Sequence, residues 1–261
     1  MILALQTYTV RKDAKADLPG SLDRIKSMGM THLEWARLPI GSEEANLLRE
    51  RGMTVVSVQA KAKILERHFS QVVAFCRSTD CSLVIVSVLS LWGILGGTTN
   101  LRRFANRLNE LAARYRQAGV RLAFHHHDFE FQRLRGEYKL DLLFRWTDPS
   151  VSFVLDTYWI CRSGQDPRAW IERMGNRVCG LHLRDCLPPP RRGKPGDCPL
   201  GRGTIPFAKV LTSLPSSVLY GAIEQNSPDP WTDLAISCEY MHALDADRGD
   251  REGGPSWKTE K

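Results

Sequence analysis

Short apolar runs alternate along the chain with longer stretches in which apolar residues return every three or four positions. The runs at 2–6, 31–35, 54–59, 82–88, 120–125, 151–156, 178–183 and 217–224 predict strands. The stretches at 21–28, 42–51, 66–78, 101–118, 140–147, 167–174, 206–214 and 231–244 predict helices. In 101–118, Leu101, Phe104, Leu108 and Leu111 form one stripe, and Arg102, Arg103, Arg107, Arg114 and Arg116 lie off it. That is an amphipathic helix with solvated arginines. Gly29, Gly52 and Gly119 follow helix patterns, where a C-cap glycine belongs. Regular strand–helix alternation predicts parallel βαβ units, and eight of each close a (β/α)8 barrel, an α/β fold. An open doubly wound sheet is the alternative. It needs a Gly-rich turn after the first strand, where the chain reads Gln6-Thr7-Tyr8-Thr9. The barrel is expected over residues 1–245. Residues 246–261 are charged, Gly-rich and nearly free of aliphatics, and are expected to be a mobile tail.

Composition narrows the classes. A chain of 261 residues, 43% hydrophobic and 25% charged, is long enough to bury a barrel core. No apolar run reaches bilayer length, and Met1-Ile2-Leu3-Ala4-Leu5 is too short for a signal peptide, so a cytoplasmic protein with no membrane partner is expected. The seven cysteines are odd in number and scattered, which fits reduced thiols. Cys179, Cys186 and Cys198 lack the close spacing of a zinc-binding pair. A net charge of +7 suits nucleic acid, anionic lipid or a phosphorylated small molecule, although many of the cations fall on solvated helix faces.

In a barrel, polar residues at the C-terminal strand ends converge on one site. Strand five runs into His125-His126-His127-Asp128-Phe129-Glu130, strand six ends at Asp156, strand seven reaches His182 and strand eight ends at Glu224. Glu130, Asp156 and His182 are evenly spaced, at about the length of one βα repeat. Unpaired acids and histidines at the ends of apolar strands are costly to bury, so an acid or histidine at four successive strand ends points to a shared metal ion. A mixed carboxylate and imidazole set suits Mn²⁺, Mg²⁺, Co²⁺ or Zn²⁺. His126 alternates away from the face of His125 and His127 if the strand continues, which makes it structural.

Several local words carry a resemblance. Leu5-Gln6-Thr7-Tyr8-Thr9-Val10-Arg11, Phe124-His125-His126-His127-Asp128-Phe129-Glu130-Phe131, Leu155-Asp156-Thr157-Tyr158-Trp159, Leu181-His182-Leu183-Arg184-Asp185 and Ile223-Glu224-Gln225 together resemble the xylose-isomerase-like sugar phosphate isomerase/epimerase family. The resemblance runs from strand one to helix eight. It implies a (β/α)8 barrel holding one divalent metal ion, Mn²⁺ first, with Asp156, His182 and Glu224 as ligands. Glu130 is the first choice for the strand-five ligand, with His125 or His127 next. The resemblance also implies proton transfer beside the carbonyl of a keto sugar or sugar phosphate through an enediolate, with Glu130, Glu224, His125 and His127 as candidate shuttles. Isomerisation, epimerisation and, if a β-hydroxyl leaves, inosose-dehydratase-like dehydration all follow from that chemistry.

The chain departs from the family pattern at several positions. His126 stands where relatives usually carry Asn, a spelling also found in the inosose dehydratase branch. Arg184 replaces a usual lysine, Gln59 a frequent histidine, Arg202 a common acid and Asn226 another. Gln59, Trp159, Arg184 and Arg202 are the expected substrate contacts. With Arg191, Arg192 and Lys194 in the loop at 188–203, Arg184 and Arg202 predict an anionic group on the substrate. A repair nuclease resembling endonuclease IV needs a histidine three residues after Asp156, where this chain has Trp159, so nucleic acid is disfavoured as a partner. A non-catalytic sugar-binding relative and a homo-oligomer both remain open.

Overall fold

The computed structural model describes residues 1–189, 193–194, 196–212 and 214–249. Eight parallel strands close into a barrel: β1 (Ile2–Gln6), β2 (His32–Ala36), β3 (Thr54–Ala60), β4 (Leu83–Val86), β5 (Arg121–His125), β6 (Val151–Asp156), β7 (Val178–Leu183) and β8 (Tyr220–Ile223). Each pairs with its neighbours in chain order, and β8 closes on β1. The strands are largely apolar because both faces are covered. Ala4, Leu83, Ile85, Ala123, Val154 and Ala222 fill the barrel interior. Leu5, Val84, Val86, Phe124, Phe153, Leu155 and Leu183 join the larger core beneath the helices. The period-2 alternation of a strand assigns each residue to one core or the other.

Register slips by one residue at two places. Between β2 and β3 the slip falls after Leu33 and sets Glu34 opposite Ser57. Between β6 and β7 it falls after Phe153 and sets Asp156 opposite His182. Irregularities of this kind re-aim side chains near functional sites. The first slip brings two polar residues level midway along the barrel, and the second does so at its C-terminal end.

The outer helices are α1 (Leu18–Ser27), α2 (Ser42–Glu50), α3 (Phe69–Ser78), α4 (Thr98–Gln117), α5 (Lys139–Trp146), α6 (Pro167–Met174), α7 (Phe207–Val210) and α8 (Pro230–Gly249). In α4 the expected stripe is buried, and Ala105, Ala112 and Tyr115 extend it. The helix expected at 66–78 breaks at His68, so Ala62–Arg67 is a separate helix. The seventh expected helix and the eighth expected strand are shorter than their apolar patterns: α7 is a single turn, and β8 spans four residues. Short helices not anticipated from the pattern sit on the C-terminal side of the barrel, among them Thr157–Arg162 directly after β6. In the loop after β7, Asp185–Cys186 pairs antiparallel with Asp197–Cys198. Arg191 and Arg192, expected to crowd the barrel mouth, lie outside the described residues, as does 250–261 of the expected tail. All seven cysteines are free thiols. No helix among the described residues is long and apolar enough to cross a membrane.

Candidate metal centre

Four strand ends deliver His125, Asp156, His182 and Glu224 to one point, and one ligand atom from each lies within 4.8 Å of the other three. His182 Nδ1 is 2.7 Å from Glu224 Oε2 and 3.9 Å from Asp156 Oδ2, and His125 Nε2 is 3.5 Å from Asp156 Oδ2. All four residues are buried. Even so, His125 Nε2, Asp156 Oδ2 and His182 Nδ1 have no hydrogen-bond partner. Buried polar atoms are nearly always hydrogen-bonded, so three buried polar atoms aimed at one point without a well-formed hydrogen bond fit a cation, which would displace the proton that His182 carries between its carboxylates. The two imidazoles and two carboxylates match the donor set of a borderline divalent ion.

The surroundings orient three of the four side chains. Nδ1 of His125 lies 3.3 Å from the Ser87 carbonyl, which turns Nε2 toward the cluster. Burial, helped by the charge of His182, lowers the His125 pKa to about 3, so the ring is neutral. Burial opposes charge on Glu224, but Arg184 and His182 outweigh it and hold its carboxyl below the ordinary range. Nε2 of His182 lies 2.7 Å from Glu34 Oε1. Glu34 is fully buried in β2, and its Oε2 accepts from Tyr220 Oη (2.6 Å) and Ser57 Oγ (2.8 Å). A carboxylate behind a ligating histidine fixes the tautomer and the ring plane. Sequence reading missed Glu34. The available signal was a charge between Leu33 and Trp35 inside an expected strand.

His126 plays the structural part expected of it: its Nε2 accepts the backbone N–H of Asp156 at 3.0 Å. The hydroxyl of Thr157 donates to the Arg184 carbonyl (2.6 Å) and accepts from the Arg184 N–H (3.0 Å), tying the ends of β6 and β7 together.

Glu130 is not brought to the cluster, and His125 holds the strand-five position instead. After His127 the chain coils into a 3-10 turn, Asp128–Phe131, which carries Glu130 off the strand line. Its Oε2 accepts the His127 N–H at 2.8 Å, while Oε1 is buried and unpaired. Burial raises the Glu130 pKa to about 7.

A cavity of about 870 Å³ opens above the cluster. Gln59, His125, His127, Trp159, Arg184 and Glu224 all line it. Gln59 accepts from Gln6 Nε2 at 3.1 Å and keeps its own Nε2 unpaired. Nδ1 of His127 and Nε1 of Trp159 are also unpaired, which leaves three polar atoms for a ligand. Arg184 is not a free cation. It lies 3.3 Å from Glu224, 3.5 Å from Asp156 and 2.6 Å from Asp197. Arg202 is exposed and does not line the cavity. Asp185 pins that loop by accepting the N–H groups of Gly201, Gly203 and Ile205, and so keeps Arg202 on the outside. Lys194 pairs with Asp128 at 2.7 Å.

A closed (β/α)8 barrel with a two-histidine, two-carboxylate cluster at its C-terminal strand ends defines a class of small-molecule site. The chain belongs to the Xylose isomerase-like TIM barrel family, whose profile matches residues 22–223. Over 84 residues, 32% of the chain, it is 33% identical to an inosose dehydratase from Lacticaseibacillus casei, and that match spans 28% of the relative's length. Its fold resembles a sugar phosphate isomerase/epimerase from Parabacteroides distasonis (TM-score 0.78, 19% identity, covering 93% of this chain and 96% of that one). It also resembles the IOLI protein with a bound zinc atom (TM-score 0.68, 13% identity, covering 94% and 97%).

Proposed function

We propose that the protein is a divalent-metal-dependent isomerase or epimerase acting on a keto sugar or sugar phosphate, with His125, Asp156, His182 and Glu224 holding the metal. The carrying observation is the convergence of four buried ligand-type side chains, three of them with an atom that makes no hydrogen bond, beneath a cavity lined by polar groups. When bound, a divalent cation supplies Lewis-acid polarisation of a substrate carbonyl. Mn²⁺ is the first choice and Zn²⁺ the next, since a zinc atom sits in one protein of the same fold.

The protein's own groups then move the proton. Glu224 is held ionised and faces the cavity, so its carboxylate is the acceptor for a proton beside the carbonyl. Return of that proton from Glu224 to the neighbouring carbon gives isomerisation. His127 presents an unpaired Nδ1 in the same cavity, and burial lowers its pKa to about 3, which keeps it neutral at rest. Epimerisation follows if His127 relays a solvent proton to the opposite face while Glu224 releases its proton to solvent, so that both groups end as they began. Gln59 and the indole N–H of Trp159 orient hydroxyl groups. The segment similar to inosose dehydratase favours a second reading, in which the same deprotonation expels a β-hydroxyl.

Solvent deuterium decides between these outcomes. The Mn²⁺-loaded protein is expected to place deuterium beside the carbonyl of a keto sugar, and chelator to stop it. Product NMR separates an isomer or epimer from a dehydrated enone. A broad panel of keto sugars and keto polyols with no exchange contradicts the proposal.

A further inference from the structure

The cations lining the cavity are not equivalent. Arg184 is neutralised by Glu224, Asp156 and Asp197. Arg162 lies 3.4 Å from Asp128 and donates to Tyr158 Oη at 2.8 Å. Asp197 and Glu224 are the carboxylates among the described lining residues, and both face Arg184. That leaves Arg37 and Lys61, which line the opposite wall with no ion pair among the described residues.

The two side chains leave adjacent strand ends. Ala36 of β2 pairs with Gln59 of β3, Arg37 follows the first and Lys61 stands two residues after the second. Neighbouring strands run roughly 4.8 Å apart, so both cations start from one stretch of rim. Arg37 also has φ 61°, in the left-handed region that a non-glycine residue seldom adopts. Buried Ala36 and Leu38 flank it, and the strained turn exposes Arg37 between them. Strain of this sort collects at ligand-holding positions.

We propose that Arg37 and Lys61 form a phosphate subsite for the far end of a phosphorylated sugar. This rests on the reading of the cavity as a sugar site. A phosphate monoester carries close to two negative charges near neutral pH, which two unpaired cations match and a carboxylate does not. The guanidinium fork grips two oxygens while the ammonium acts as a point charge. In many barrels the phosphate site lies after strands seven and eight. Here the strand-seven arginine is already engaged, and the free charge stands after strands two and three.

The test is a calorimetric titration of inorganic phosphate into the full chain, with Mn²⁺ and after chelation. Phosphate is expected to bind the chelated wild type, and the Arg37→Gly/Lys61→Gln double variant to lose at least about ten-fold in affinity. Arg202→Ala should bind as the wild type does. Glycine relaxes the left-handed turn, so an unlowered thermal midpoint in Arg37→Gly shows that the loss is not a folding defect. No phosphate binding by the wild type, or equal binding by the double variant, overturns the subsite. Deuterium exchange is read separately: its absence beside a phosphate affinity that follows Arg37 and Lys61 sinks the sugar chemistry and supports the subsite.

Discussion

At the scale of single residues, Glu34 and Glu130 show how two buried acids are put to different uses. Glu34 accepts from Tyr220 and Ser57 and faces His182, so every side of it is answered. Glu34→Gln keeps the size but loses the charge that orients the imidazole. It is expected to weaken Mn²⁺ binding by about 10–100-fold in a competition titration with a metal indicator. An unchanged affinity contradicts the positioning role. Glu130 has one oxygen bonded and one unpaired, and burial raises its pKa from 4.5 to about 7. An acid raised on folding costs nothing below about pH 4.5, where it is protonated in both states. The cost grows as pH rises and is complete above about pH 7, on the order of 3 kcal/mol. Urea unfolding of Glu130→Gln at pH 5 and pH 8 should show the variant gaining on the wild type at the higher pH. A gap that does not change with pH contradicts it. Sequence reading put Glu130 first and His125 or His127 next for the strand-five position, because even spacing counts residues along the chain and not height along the barrel. A 3-10 turn after His127 breaks that equivalence.

At the scale of elements, the strands carry most of what was legible. An apolar run ending in a strong ligand type marked the strand and its C-terminal end, and the structure brings Asp156, His182 and Glu224 from those ends together. Boundaries were less legible where tertiary contacts overrule pattern, as in the break at His68 inside one apolar period. Loop residues were least legible. Nothing in Gly201-Arg202-Gly203 announces that the Asp185 carboxylate will bind that backbone and turn Arg202 outward. The slips beside Glu34 and Asp156 were also invisible, because pairing register depends on two strands at once. One glycine inside β7 has a stricter role. A Cβ on Gly180 would meet the Tyr220 ring at 2.6 Å, so the glycine makes room for the phenol that bonds Glu34. Gly180→Ala is expected to cost about 1–3 kcal/mol in denaturant unfolding and to weaken metal binding with it. Wild-type stability together with wild-type metal affinity contradicts that chain of contacts.

At the scale of the whole molecule, a closed barrel gathers residues far apart in sequence and makes their convergence rigid. His125, Asp156, His182 and Glu224 come from four consecutive strands, and Glu34 reaches them across the interior from a fifth. The same closure leaves the cavity mouth to the βα loops, where the charge of the strand-seven side is spent internally and that of the strand-two and strand-three side is not. The central claim is that these four residues, with His125 in place of Glu130, hold one divalent ion. The most direct measurement is the Mn²⁺ content of purified, metal-equilibrated protein. Wild type and Glu130→Gln are predicted to carry one ion per chain, and His125→Ala and Asp156→Asn to carry little or none. Full occupancy in both of the latter, or loss of metal in Glu130→Gln alone, would contradict the account.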